Sequence, residues 1–141
     1  MLKVLIAEDN LMIADLTEEF LLEHGYEVCG IARTVAEGVA LARLHEPDLA
    51  VIDLRLAEGG LGTDIAAQLQ DFTHLGFLYA SGNSGNVMLT ATNGHACLTK
   101  PYRSQDLLRS LQIVAGMVST GTATPPFPRG FQVLPSALIP C

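Results

Sequence analysis

The sequence predicts a single α/β domain, a doubly wound sheet of five parallel strands with helices on both faces. Three observations predict it. The short apolar runs, Lys3–Ala7 and "LAVID" at Leu49–Asp53 among them, are continuous rather than alternating, as in strands buried on both faces. Helical stretches separate these runs, and regular alternation of the two calls for parallel strands joined by right-handed crossovers. Each run also stops abruptly at a polar or charged residue, as "KVLIAEDN" does at Glu8 and Asp9.

The elements follow in order. Lys3–Ala7 is the first strand. A helix is expected over about residues 11–24, with Ile13, Leu16, Phe20 and Leu21 on its buried face and Gly25 as its left-handed stop. Glu27–Ala32 is the second strand. Thr34-Val-Ala-Glu37 spells a capping box and starts a helix running to about His45, ended by Pro47-Asp48. Leu49–Asp53 is the third strand. The loop "AEGGLG" leads from it to a short helix near residues 63–71. Residues 76–80, "GFLYA", form the fourth strand and Ala96–Thr99 the fifth. The last helix starts from a Ser104 cap and buries Leu107, Leu108, Leu111, Val114 and Ala115. Between the fourth and fifth strands, "GNSGNVMLTATNG" is rich in Gly, Asn and β-branched residues, so any helix there is short and marginal.

Composition narrows the function. At 141 residues, with 49% apolar and 16% charged residues, the chain holds one core and is not disordered. A net charge of −7 and eight scattered basic residues leave no stripe for phosphate contacts, so nucleic acid is not an expected partner. Cys29, Cys97 and Cys141 are odd in number and share no metal or disulfide spacing. No leader-like opening or membrane-length apolar stretch is present, and the expectation is a reduced, cytoplasmic setting without membrane contact. The four histidines form no helical metal pair and read as solvated or helix-end residues.

The strand ends carry the chemistry. Glu8 and Asp9 follow the first strand, Asp53 ends the third, Ser81 follows the fourth and Lys100 the fifth. Taken singly, each has an ordinary reading: Asp53 as a turn or capping acid, Ser81 in "ASGN" as a turn former, Lys100-Pro101 as a strand end. In a parallel sheet all five converge beyond one edge, where such sheets bind ligands. Three carboxylates in one basin repel by several kcal/mol at intermediate dielectric, which a hard cation, Mg²⁺ or Mn²⁺, relieves. Phosphoryl transfer needs this set: Asp53 as an already ionised nucleophile, Glu8 and Asp9 on the metal, Ser81 and Lys100 on the phosphoryl oxygens.

With these residues in place the chain resembles the receiver domain of two-component response regulators. "AEDN", "VIDL", "ASG" and "LTKPY" match the family's acid pair, phosphoacceptor, hydroxyl and lysine-proline motifs, and the resemblance covers roughly residues 1 to 119. It implies a flavodoxin-like sheet of order 2-1-3-4-5. It implies Mg²⁺-dependent acceptance of a phosphoryl group on Asp53 from a sensor histidine kinase or phosphotransfer protein. It further implies that the backbone carbonyl of Arg55 completes the metal shell, that Lys100-Pro101 is cis, and that the chain is a phosphoacceptor with limited self-catalysed chemistry rather than an enzyme. No organic cofactor is implied. Three departures stand out. Cys97 occupies the position of the usual switch Tyr or Phe and reads as a small core residue. The loop after Asp53 lacks Met-Pro and carries Arg55. "YASGN" is similar to the Phe-Ala-Thr-Gly subgroup that pairs with HWE-type histidine kinases. In the absence of the ring, the weakly helical 84–94 segment is the expected switch, ordered through Ser81 on phosphorylation.

Residues 120–141 are read as a Pro-containing apolar tail with no output domain. It is either disordered or docked on its own domain or on a second copy through Phe127, Phe131, Val133, Leu134, Leu138 and Ile139. The whole is then a single-domain regulator, a phosphate sink or a diffusible module that binds a protein target or a second copy. Rival readings fare worse. A flavodoxin-like cofactor binder needs a phosphate cradle where Glu8 and Asp9 stand, a Rossmann dehydrogenase needs GxGxxG rather than "GGLG", and an aspartate-nucleophile phosphatase needs Asp-x-Asp where Asp53 is followed by Leu54 and Arg55.

Overall fold

The computed structural model describes residues 1–82 and 87–141. In chain order the elements are β1 (Lys3–Ala7), α1 (Leu11–Glu23), β2 (Glu27–Ala32), α2 (Val35–His45), β3 (Leu49–Asp53), a 3-10 turn (Ala57–Gly59), α3 (Gly62–Gln68), β4 (Gly76–Ser81), β5 (Met88–Leu89), β6 (Ala96–Thr99), α4 (Ser104–Thr120), β7 (Phe131–Val133) and β8 (Ile139–Pro140). The five predicted strands are parallel in the predicted order, here β2-β1-β3-β4-β6. Side chains alternate faces along each strand, which explains the continuous apolar runs. Leu5, Ala50, Ile52 and Tyr79 meet the α2/α3 layer with Ile65 and Leu69. Val4, Ile6, Val51, Leu78 and Leu98 meet the α1/α4 layer with Leu21, Leu107, Leu111 and Val114. Each fully buried aliphatic side chain contributes roughly 1.5–3 kcal/mol, so both layers are needed to hold the sheet.

The helix ends follow local hydrogen bonding. Asn10 caps α1, its Oδ1 accepting from the Met12 and Ile13 amides. The Thr34 hydroxyl accepts from the Glu37 amide at 3.1 Å, and Glu37 returns by accepting from the Arg33 amide at 2.7 Å, one residue earlier than a standard box. Helix α4 is capped one residue before the expected Ser104: Arg103 is the cap, and its amide donates to Asp106. The buried stripe of α1 also differs from expectation. It runs through Ala14 and Leu21, while Leu16 is 62% exposed and Ile13 borders solvent, because the small Ala14 lets the helix sit close to the sheet on that side. His95 is half-buried rather than solvated. Its Nδ1 accepts the Phe77 amide at 3.0 Å, and burial holds its pKa below the ordinary imidazole value.

The chain beyond α4 corrects the sequence reading most. Of the alternatives for residues 120–141, docking on the chain's own domain is the one observed. Strand β7 pairs antiparallel with β6 and becomes the sixth strand of the sheet, while β8 pairs antiparallel with β5 in a separate ribbon. Phe131 packs with the α1/α4 layer and Leu134 with the α2/α3 layer. Cys97 and Cys141 form a disulfide, with Cα atoms 6.7 Å apart, and Cys29 is free. The absence of recognisable spacing therefore did not mean absence of pairing, since a 44-residue separation is closed by the return of the chain along β7 and β8. Cys97 is buried as expected, at 1% exposure, but is not a free thiol. A reduced setting thus loses the cysteine argument on which it rested. Among the described residues no helix is long and apolar enough to cross a membrane.

No helix forms over the described part of the 84–94 segment; residues 84–86 lie outside the described residues. The Asn93 side chain accepts from the Thr90 amide at 2.8 Å, and the Tyr79 hydroxyl donates to the Asn93 carbonyl. Local side-chain bonds of this kind outcompete a weak helix.

Tyr26, Tyr79 and Tyr102 are all pushed above the ordinary phenol pKa of 10.0, chiefly by burial, and Tyr79 strongly so. A raised folded-state pKa adds stability that is complete below the unfolded value and is lost as pH rises toward the folded one. Urea unfolding is therefore expected to show falling stability between about pH 9 and about pH 11. Tyr79→Phe should cost about 1 kcal/mol at neutral pH, through the lost Asn93 bond, and flatten that decline.

Candidate functional site

Register sets the site. Ala7 lies opposite Ile52, Asp53 opposite Ala80 and Ser81 opposite Thr99, so the C-terminal ends of β1, β3, β4 and β6 are level at one rim. The Glu8 amide continues the ladder by donating to the Ala32 carbonyl at 2.9 Å, which fixes the acid pair just beyond β1. The Lys100 amide donates to the Ser81 carbonyl at 2.6 Å and ties the end of β6 to that of β4. Lys100-Pro101 is cis.

The five predicted side chains meet at this rim. One carboxylate oxygen from each of Glu8, Asp9 and Asp53 lies within 4.8 Å of the others. Glu8 is buried, Asp53 partly buried and Asp9 exposed. Lys100 Nζ donates to Glu8 Oε1 at 2.9 Å and to Asp53 Oδ2 at 3.4 Å. The Arg55 amide reaches Asp53 Oδ1 at 3.4 Å, and the Asn10 amide reaches Glu8 Oε2 at 3.3 Å. Ser81 Oγ is buried and has no hydrogen-bond partner among the described residues. That orphaned hydroxyl is costly unless something else bonds it. An open cavity of about 340 Å³ is lined by Asp9, Asp53, Arg55, Ser81, Val87, Lys100 and Cys141 among others.

The electrostatics explain the arrangement. Two carboxylates at this separation repel by roughly 3 kcal/mol at an effective dielectric of 20, and three such pairs exist against one ammonium. Burial alone would lower the Lys100 pKa. The hydrogen bond to Glu8 and the fields of Asp53 and Glu8 overcome it, and the net shift is upward, so the ammonium stays charged. One positive charge still leaves the cluster two short. Three carboxylate oxygens at this spacing are the donor set of a hard divalent cation. Two contributors escaped sequence reasoning. Gly62, the third glycine of "GGLG", lies directly behind β3, where a Cβ would collide with the Asp53 carbonyl and Ile52 Cγ2. Cys141 walls the cavity from the far end of the chain, and no local signal in the sequence could announce that.

The model of the response regulator receiver domain family matches residues 4–112. The chain belongs to the response regulator receiver family. As a receiver it is a phosphoacceptor signalling module of two-component systems rather than an enzyme, and receivers are phosphorylated by histidine kinases. The acidic cluster of this receiver is the type that holds Mg²⁺ in the family. The receiver is 30% identical over 124 residues to the transcriptional regulatory protein PdtaR of Mycobacterium tuberculosis, covering 86% of this chain and 60% of that protein. It is 36% identical over 114 residues to the acid tolerance regulatory protein ActR of Rhizobium meliloti, covering 74% and 58%. The chain thus spans about 60% of the length of these curated relatives. Among solved structures it resembles the signal receiver domain of a modulated diguanylate cyclase from Desulfovibrio desulfuricans G20, with a TM-score of 0.72 and 25% identity over 86% of this chain and 99% of that one. A CheY-like receiver from Methanospirillum hungatei JF-1 has the same fold, with a TM-score of 0.74 and 23% identity over 86% and 99%.

Gly62→Ala in this receiver is expected to cost about 1–3 kcal/mol in urea unfolding, because the new methyl has only backbone and the Ile52 side chain to displace. Full stability in that variant would show that the close approach behind Asp53 is dispensable.

Proposed function

We propose that this chain takes a phosphoryl group on Asp53 from a phosphohistidine donor, a sensor histidine kinase or a phosphotransfer protein, in a Mg²⁺-dependent reaction. The observation that carries this reading is the orphaned Ser81 hydroxyl facing the same cavity as the Asp53 carboxylate and the Lys100 ammonium. Among the described residues the Ser81 hydroxyl lacks what a phosphoryl group would bring, an acceptor oxygen.

A carboxylate nucleophile has no proton to give up, so Asp53 needs no base. One carboxylate oxygen attacks phosphorus in line, the P–N bond to the donor imidazole breaks, and the electron pair leaves with that nitrogen. The Ser81 hydroxyl donates to one phosphoryl oxygen. Lys100 moves its ammonium from the carboxylates to another. Glu8, Asp9, Asp53 and the Arg55 carbonyl would hold a divalent cation, Mg²⁺ or Mn²⁺, which would supply charge against the remaining phosphoryl oxygens. "YASGN" together with Cys97 in place of a ring supports a donor of the HWE class. The receiver region 1–119 then acts by protein contact, as a phosphate sink or as a diffusible module for a protein target or second copy. The acidic surface supports contact with protein rather than nucleic acid.

Incubation with phosphoramidate and Mg²⁺, followed by intact-mass measurement, tests the acceptor. The wild-type chain should gain one phosphoryl group, Asp53→Asn none, and Lys100→Ala should react about 10²-fold more slowly. Label that persists in Asp53→Asn rejects Asp53 as the acceptor.

A further inference from the structure

The strap of residues 122–141 crosses the open side of the sheet and is held at successive points. Arg109 on α4 donates to the Thr124 carbonyl at 2.7 Å and to the Pro126 carbonyl at 3.1 Å. Strand β7 then zips onto β6, the Leu134 amide donates to the His95 carbonyl at 3.0 Å, and the Ala91 amide donates to the Pro135 carbonyl at 2.8 Å. The last stretch has much less to hold it. The β5/β8 ribbon pairs two residues with two, Pro140 lacks an amide, and Leu138 is 62% exposed. A ribbon that small has no stability of its own. Leu89 is buried in the core on the α2/α3 side, with Val87 and Ile139 packed against it, and the Cys97–Cys141 bond ties the end of the chain to β6, the Cys141 amide donating to the Val87 carbonyl at 2.9 Å. Cys141 and Val87 also wall the cavity that contains Asp53, Ser81 and Lys100.

We infer that Cys97–Cys141 is a thiol–disulfide exchange site, a latch that closes residues 139–141 over one wall of the Asp53 cavity and opens it on reduction by a dithiol. Its effect at Asp53 rests on the acceptor reading above. The two sulfurs are not equivalent. Both are buried, Cys97 at 1% and Cys141 at 7% exposure, but only Cys141 lines the open cavity, so the incoming thiolate attacks Cys141 Sγ. The S–S bond breaks, and Cys97 leaves with the electron pair and takes a proton. The reductant's second thiolate then attacks its own sulfur in the mixed disulfide. Cys141 departs as a thiolate and is protonated, and the reductant leaves as a disulfide. Two electrons have passed from the dithiol to the protein. Cys29 does not compete, because it lies on β2 at the opposite edge of the sheet from β6 and β7.

Amide hydrogen exchange on the full chain carrying Cys29→Ser, oxidised and after dithiothreitol, tests the latch. Residues 87–91 and 139–141 should exchange about ten-fold faster or more when reduced, with β1 and β3 unchanged. Cys141→Ser should show the fast pattern without reductant and no response to it. Equal exchange in all three states overturns the latch, and loss of protection in β1 and β3 overturns it in favour of a global staple. In parallel, the phosphoryl group on Asp53 should be lost about three-fold faster or more from the reduced chain, as water reaches it through the opened wall. Equal lifetimes overturn the link to Asp53. A chain whose exchange responds but which takes no phosphoryl group in either state refutes the acceptor reading alone; a chain that is labelled but whose exchange is unmoved refutes the latch alone.

Discussion

Three carboxylates within 4.8 Å of one another, answered by a single ammonium, are the constraint on which the rest of this receiver depends. Lys100 can answer them only because β6 lies beside β4 with Thr99 level with Ser81, and Asp53 is presented only because β3 lies between β1 and β4. The sheet order is therefore also an electrostatic arrangement. The charge shortfall is tolerable at a rim open to water, where the effective dielectric is high, and would not be in the core. Openness to solvent and readiness for a cation or a phosphoryl group are two consequences of that one location.

The site was legible because the physics that makes it is local. A strand buried on both faces must be apolar throughout, so the first polar residue after each run marks the rim. Glu8, Asp53 and Ser81 sit at such positions and Lys100 one residue beyond Thr99, which is why linear inspection found them. The face of α1 was less legible. Ile13 and Leu16 are more apolar than Ala14, and only the close approach of helix to sheet reveals that the small residue faces inward. Illegible altogether were β7, β8 and the disulfide. Two- and three-residue edge strands have too little pattern to register, and their pairing depends on an open edge at β6 that exists only once the sheet has formed.

That edge is where the chain spends its most unusual residues. Unpaired strand edges invite association, and β7 covers this one with the chain's own backbone. The disulfide stands at the position where most receivers carry an aromatic switch ring. Its β4 neighbour in register, Tyr79, is a buried ring already committed to the Asn93 carbonyl. A ring fixed by its hydroxyl and packed against a disulfide does not rotate freely, so a ring-flip route from Asp53 to the surface has no residue to use at these two positions.

Backbone connections offer a route from the rim that needs no ring. Residues 87–91 follow Ser81 closely in sequence, and their described contacts lead to the strap: Val87 to Cys141, Met88 and Leu89 to β8, Ala91 to Pro135. Hydrogen bonds of this kind contribute about 1 kcal/mol each, and coupling between sites in proteins is typically about 1–3 kcal/mol. A few such bonds are of the size that a phosphoryl group could rearrange; a covalent bond is not. With the disulfide intact, a displacement of residues 87–91 must carry residues 139–141 along or be resisted by β6. With it broken, the same displacement has only weak bonds to overcome. On the latch proposed above, the strap belongs to the signalling path as much as to the fold.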